Sequence, residues 1–281
     1  MRHRRRPDIY WRAAGRGPAL VLLNGWSASG LAWPRIIVRE LERGFRLVRI
    51  DNRGSGFSRF APTPFTIADL ADDVAAVLDA EALESAFVVG VSMGGMIAQE
   101  FAIRHPARAD GLLLVSTRPP TPAYRAPRAG DGLWDMLRPV RRGETLDAYL
   151  TRLWAGAAAE GFGEREPESI SELVEQIATR PTSRGNLLHQ LRAVSGWGHA
   201  ERLRLIDAPT IVLHGAQDRL MPAENGRRIA QLIPGARHVE LDGVGHLPPL
   251  EAPTRLRELI FELAATERGV PADGRYRAPA A

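Results

Sequence analysis

The chain has 281 residues, 44% hydrophobic and 25% charged, a composition that supports a sizeable core and excludes disorder throughout. It has no cysteine, which excludes disulfides, thiolate nucleophiles, Cys-bound zinc and iron–sulfur clusters. Its 37 basic residues are all arginine against 33 acidic ones, so there is no lysine for a Schiff base or a P-loop, and a net +4 gives no footprint for nucleic acid.

The chain opens on a basic cluster, Met1-Arg2-His3-Arg4-Arg5-Arg6, followed by Pro7-Asp8 rather than an apolar stretch. It reads as a frayed terminus, not an export signal. No run approaches 18 apolar residues, so no membrane span is expected and the expected location is the cytoplasm. Apolar runs at 18–23, 45–50, 86–91, 111–115, 209–213 and 237–241 predict buried strands. Helical patterns fill the gaps at 67–83, 93–105, 222–232 and 254–266, with Thr66 and Asp69 spaced as a cap for the first. The alternation predicts an α/β fold with a doubly wound, mostly parallel sheet.

The alternation breaks after residue 118. Pro119-Pro120-Thr121-Pro122 reads as an extended linker, and helical patterns follow at 146–154, 170–177 and 187–194. The expected organisation is a core in two parts, 1–118 and 208–268, around a helical cap insertion at 119–207. Residues 269–281 read as a disordered tail.

Chemistry concentrates where strands end. Gly90-Val91-Ser92-Met93-Gly94 follows the third predicted strand and opens a helix. In that context G-x-S-x-G is a sharp turn that lifts Ser92 over the carboxyl edge of the sheet. A serine hydroxyl needs a base. Of seven histidines, His3 is terminal, His105 ends a helix, His189 and His199 belong to the insertion, and His214 and His238 lie in strands. His246 alone sits in a turn past the last strand, at the edge that carries Ser92. The base needs an orienting carboxylate. Asp218, past the fifth predicted strand, is the first candidate, and Asp242, at the close of the sixth, is the rival. Two donors must face a developing oxyanion. The backbone N–H groups of Met93 and of Trp26, in Asn24-Gly25-Trp26-Ser27, are the candidates.

Taken together, Leu23-Asn24-Gly25-Trp26, the turn from Asp51 to Ser58, the Ser92 motif and the Asp218/His246 pair resemble the α/β-hydrolase superfamily from about Tyr10 to Thr266. The narrower likeness is to enol-lactonase-like and aclacinomycin methylesterase-like hydrolases. Many members carry His-Gly where this chain has Asn24-Gly25. The resemblance assigns the Asp51 to Ser58 turn, D-x-R-G-x-G-x-S, a structural role. It implies a serine hydrolase that cleaves a carboxylic ester or lactone through an acyl-enzyme. A C–C bond hydrolase or a cofactor-free perhydrolase would share the triad, and a non-turnover ligand-binding protein would share the fold.

No metal or organic cofactor is implied, because no His/Asp/Glu set has ligand spacing. The expected partner is a small, apolar ester or lactone, and no oligomeric state is assigned. Trp134, Leu137, Leu150, Trp154, Trp197 and Leu247 are the expected pocket residues. Arg118, Arg125, Arg128, Arg138, Arg141 and Arg142 read as a solvated basic face, with carboxylate recognition as the alternative.

Overall fold

A computed structural model describes residues 8–60, 62–126 and 140–268. The basic N-terminal cluster, the expected tail, and Trp134, Leu137, Arg128 and Arg138 lie outside the described residues.

Seven strands form one sheet: β1 (Trp11–Ala14), β2 (Ala19–Leu23), β3 (Arg46–Ile50), β4 (Ala86–Val91), β5 (Ala109–Val115), β6 (Thr210–Gly215) and β7 (Arg237–Leu241). Their order is β1-β3-β2-β4-β5-β6-β7. All neighbours are parallel except β1, which pairs antiparallel with β3. β2 shows why the runs are continuous rather than alternating. Leu20 and Leu22 feed the apolar cluster on one face, Val21 and Leu23 the cluster on the other, and all four are buried. A sheet covered on both sides needs apolar residues at every position.

The covering helices carry matching stripes. On one face α1 (Arg35–Gly44) contributes Ile37, Val38 and Leu41. The other face is covered by α2 (Ile67–Ala80) through Leu70, Val74 and Val77, and by α3 (Met93–Arg104) through Met96, Ile97 and Phe101. The expected cap of α2 forms as a reciprocal box: Asp69 N–H donates to Thr66 Oγ1 at 3.2 Å and Thr66 N–H to Asp69 Oδ2 at 2.8 Å. The chain leaves α2 three residues before the predicted end, where it turns through Ala82 at φ 56°.

Between β5 and β6 come α4 (Leu146–Ala157), the short α5 (Phe162–Arg165), α6 (Pro167–Ala178) and α7 (Arg184–Ser195). They form the helical cap. Leu150, Leu153, Trp154, Leu173 and Val174 make its own apolar cluster, joined by Leu220 and Leu247 from the main body. After β6 come α8 (Glu224–Leu232), β7, the one-turn α9 (Pro248–Glu251) and α10 (Pro253–Arg268). Among the described residues no helix is long and apolar enough to cross a membrane.

Four elements were not expected: β1, α1 and the single turns α5 and α9. β1 is a four-residue edge strand with an exposed Arg12 at its centre, too short for an apolar run to mark it. In α1 only three apolar residues turn inward, while Ile36 stays 64% exposed.

Candidate active site

Ser92 caps α3 with φ 55° and ψ −117°, a conformation an L-residue adopts only under constraint. The constraint is close backbone packing. A Cβ on Gly90 would lie 2.3 Å from Gly94 O, and one on Gly94 would lie 2.2 Å from Leu23 O. Only glycine lets the turn tighten against β2. Ser92 N–H donates to Val115 O at 2.9 Å, and the Thr117 hydroxyl donates to Ser92 O at 2.7 Å, so the backbone is fixed on both sides. Gly25 also lies close, less tightly, and a Cβ there would stand 3.2 Å from Ser92 Cβ. The Gly25-Trp26 loop therefore lies directly beside Ser92.

His246 and Asp218 meet behind this elbow. His246 Nδ1 lies 2.8 Å from Asp218 Oδ2, with both side chains buried. A carboxylate only accepts, so Nδ1 donates and Nε2 is left as the acceptor. The other Asp218 oxygen accepts from Leu220 N–H at 2.9 Å and Met221 N–H at 2.8 Å. Asp218 thus fixes both the imidazole and its own turn. Asp242 lies in the exposed turn just past β7 rather than within the strand end.

His246 is held by a residue that the sequence did not single out. Glu251, in α9, accepts from Gly245 and Ala159 N–H through Oε2 and from Leu247 N–H through Oε1, each at 2.8 Å. His246 N–H donates to Ala157 O at 2.9 Å. Gly245 is obligatory here, since a Cβ would lie 2.4 Å from Ala159 N. The histidine turn is therefore clamped between α9 and the end of cap helix α4.

A second missed residue is Gln190, on cap helix α7 and fully buried. Its Oε1 accepts from Ser27 N–H at 3.0 Å, and its Nε2 donates to Arg53 O and Ser55 Oγ, both at 2.9 Å. It ties the loop of Trp26 to the turn that begins at Asp51. That turn is a scaffold: Asp51 accepts from Gly30 N–H at 2.6 Å and Phe57 N–H at 2.8 Å, and Arg53 holds Asp73 through two bonds of 2.6 and 2.8 Å. Asn24 completes the loop, accepting from the Asn52 amide at 2.9 Å and donating to Ser29 O.

Ser92, His246 and the Trp26 loop line one cavity. Its walls are mostly apolar and include Trp33, Trp154, Leu173, Leu247 and Leu250. The Trp26 indole lines it while donating to Leu187 O at 3.1 Å. Among the described residues the backbone N–H groups of Trp26 and Met93 have no acceptor.

Of the expected pocket residues, Trp154 and Leu247 reach the cavity. Leu150 and Trp197 do not. Leu150 turns into the cap's own cluster, as its place on the inner face of α4 dictates. Trp197 packs into the core below the sheet edge and donates to Glu100 at 3.2 Å. Arg118 departs from the expected solvated face. It is 3% exposed, donates to Pro119 O at 2.9 Å and to Val194 O, and lies over the Tyr124 and Trp197 rings at 4.5 and 5.5 Å. It pins the two chain segments through which the cap joins the core. Among the described residues no group of three His, Asp or Glu could hold a metal ion.

Comparison with known proteins agrees with this architecture. A pimeloyl-[acyl-carrier protein] methyl ester esterase from Vibrio atlanticus is 27% identical over 90% of this chain and 96% of its own. An esterase from Rhodococcus sp. ECU1013 superposes with a TM-score of 0.77 at 26% identity, over 92% of this chain and 95% of that one. The enol-lactonase from Burkholderia xenovorans shares the fold at a TM-score of 0.76 and 24% identity, over 92% and 96%. The family model described as the alpha/beta hydrolase fold matches residues 18–253, and with most of its length inside that match the chain belongs to the α/β-hydrolase family.

Proposed function

We propose that the chain hydrolyses a small carboxylic ester or lactone through an acyl-enzyme formed on Ser92. The observation that carries this reading is the convergence of Ser92 and His246 on one apolar cavity, with Asp218 2.8 Å behind the imidazole. In the first step Ser92 Oγ attacks the acyl carbon while His246 Nε2 takes its proton. Asp218 holds the ring and stabilises the imidazolium that forms. The Met93 and Trp26 N–H groups, with no other acceptor among the described residues, receive the developing oxyanion. His246 then returns the proton to the leaving alcohol. Water, activated by the same nitrogen, releases the acid and restores Ser92. The tryptophan and leucine walls suit an apolar acyl or alcohol group, in keeping with the esterases and the lactonase this chain resembles. The cap insertion at 119–207 closes this cavity through its described helices α4 and α6, which contribute Trp154 and Leu173 to the wall.

The test pairs a fluorophosphonate probe with steady-state turnover of a p-nitrophenyl ester. Wild type labels at Ser92 and turns over many times. Ser92→Ala keeps its fold, because alanine is smaller than serine at the elbow, but loses labelling and about 10⁴-fold or more in kcat. Wild-type-like hydrolysis by folded Ser92→Ala overturns the mechanism. Labelling of the wild type without multiple turnover marks a ligand-binding protein on this fold instead.

A further inference from the structure

Along β3 the side chains alternate between two faces: Val48 and Ile50 enter one apolar cluster, Leu47 the other. Arg49 follows Leu47 on the α1 face, where the period calls for another core residue. Its direct cross-strand partner in β1 is Arg12. Two like charges placed opposite one another in an antiparallel pair repel. A sequence free to choose would not put them there without a compensating gain.

The two arginines open onto a groove between β1, α1 and the C-terminal end of cap helix α6. Arg35 and Arg39 stand on its α1 side, and Leu31, Trp33 and Val38 form its apolar floor. The carboxylates neutralise it only in part. Glu172 and Glu175 are taken by Arg35, at 3.6 and 3.5 Å. Glu42 reaches Arg49 only at 4.0 Å. Asp51, the buried acid nearby, spends both oxygens on Gly30 and Phe57 N–H. Among the described residues Arg12 and Arg39 have no carboxylate within 4 Å. Arg49 is largely buried, with 15% of its side chain exposed, and desolvation lowers its pKa.

We infer that this groove is an anion site for a small phosphate-bearing molecule, gripped by Arg12, Arg39 and Arg49. Guanidinium groups match phosphate oxygens in bidentate pairs, and a dianion between Arg12 and Arg49 turns their repulsion into shared attraction. Trp33 forms part of the groove and also lines the Ser92 cavity. A bound phosphate therefore sits one side chain away from that cavity, against the cap helix that helps to cover it. The inference does not depend on the esterase reading, because its test measures binding.

The experiment is titration of the whole chain with inorganic phosphate and with pyrophosphate, read by calorimetry and by thermal unfolding, against chloride at matched ionic strength. Wild type should show saturable stabilisation, stronger for pyrophosphate. Arg12→Gln and Arg39→Gln alter exposed side chains and should each weaken phosphate binding about tenfold. Arg12→Gln should unfold in chloride at the same temperature as wild type or higher, because the cross-strand repulsion is gone. A merely solvated basic face would give the opposite pattern: no saturation in wild type, and equal phosphate response in all three proteins. Either result overturns the site.

Discussion

Val21, Leu23, Val88 and Leu112 in the sheet are wholly removed from solvent, whereas Leu150, Leu153, Trp154 and Leu173 in the cap keep 5–7% of their surface. The contacts that join the two regions differ as well. The sheet is held to its helices by apolar stripes. The cap is held to the sheet in large part by polar ties: Gln190 to Ser27, Arg53 and Ser55, Arg118 to Val194 O, the Thr182 hydroxyl to Ser27 O at 2.8 Å, and Ala159 N–H to Glu251. Dense apolar packing fixes atoms to fractions of an ångström, while a handful of hydrogen bonds leaves a layer able to adjust. The proposed chemistry thus rests on the rigid region, and the choice of substrate on the adaptable one. Substitutions in the first should act on kcat, and those in the second should act more mildly.

The largest effect should come from the acid behind His246. Asp218→Asn replaces the carboxylate 2.8 Å from Nδ1 with an amide that cannot stabilise an imidazolium. The expected loss in kcat at neutral pH is about 10²- to 10⁴-fold. Asp242→Asn, altered in an exposed turn, should cost roughly tenfold at most. Both variants are compared with one ester at equal folded concentration. If Asp242→Asn is crippled and Asp218→Asn is nearly normal, the acid is wrongly assigned.

The next effect tests the rigid region through stability rather than rate. His214, in β6, is completely buried, and desolvation pushes its pKa down to about 4, with the Asp218 carboxylate opposing the shift and His246 and His238 adding to it. In the unfolded chain it titrates near the usual value of about 6.5. Between those two values the unfolded chain binds a proton that the folded protein refuses. The folded state should therefore lose stability as pH falls from about 6.5 to about 4, by about 3 kcal/mol in total. Denaturant unfolding of wild type and His214→Leu across that range measures it. The variant should start less stable, from the altered packing, but follow a flatter pH curve. Parallel curves would show that His214 does not carry the dependence.

What could be read in advance follows the same division. Strands β2, β4, β5 and β6 announce themselves because burial on both faces demands apolar runs, whereas β3 carries Arg46 and Arg49 and the edge strand β7 alternates polar and apolar residues. Ser92, Asp218 and His246 stand out because each follows a strand end in a residue pattern with its own chemistry. Gln190 and Glu251 escape such reading. Each binds backbone groups from two or three segments far apart in the chain, and no periodicity records which N–H a carboxylate or amide will meet. Arg118 and Trp197 mislead for a related reason. Arginine composition suggests solvent, yet packing against Tyr124 and Trp197 with carbonyl acceptors makes burial tolerable. The cap is recognisable as helical from its periods, but which of its apolar residues face the cavity depends on how its helices pack on each other.

The smallest effect lies on the seam between the regions. Gln190→Met preserves the length of the side chain but leaves Ser27 N–H, Arg53 O and Ser55 Oγ without their shared partner. Each unsatisfied buried group costs about 1–3 kcal/mol, although water entering from the cap side would recover part of it. Ser27 is the neighbour of Trp26, whose N–H is the proposed oxyanion donor, so the loosened loop should lower kcat about tenfold. Thr182→Val removes a tie to Ser27 O from the same cap and should act in the same direction but less, because the carbonyl is left nearer the protein surface. The Ser92 elbow touches neither side chain, so fluorophosphonate labelling should continue in both variants. A Gln190→Met protein with wild-type kcat would show that the oxyanion loop is held by the sheet alone through Asn24 and Asn52, and that the cap contributes walls but no geometry. A loss as deep as that of Asp218→Asn would instead place part of the catalytic framework in the cap and dissolve the division between the two regions.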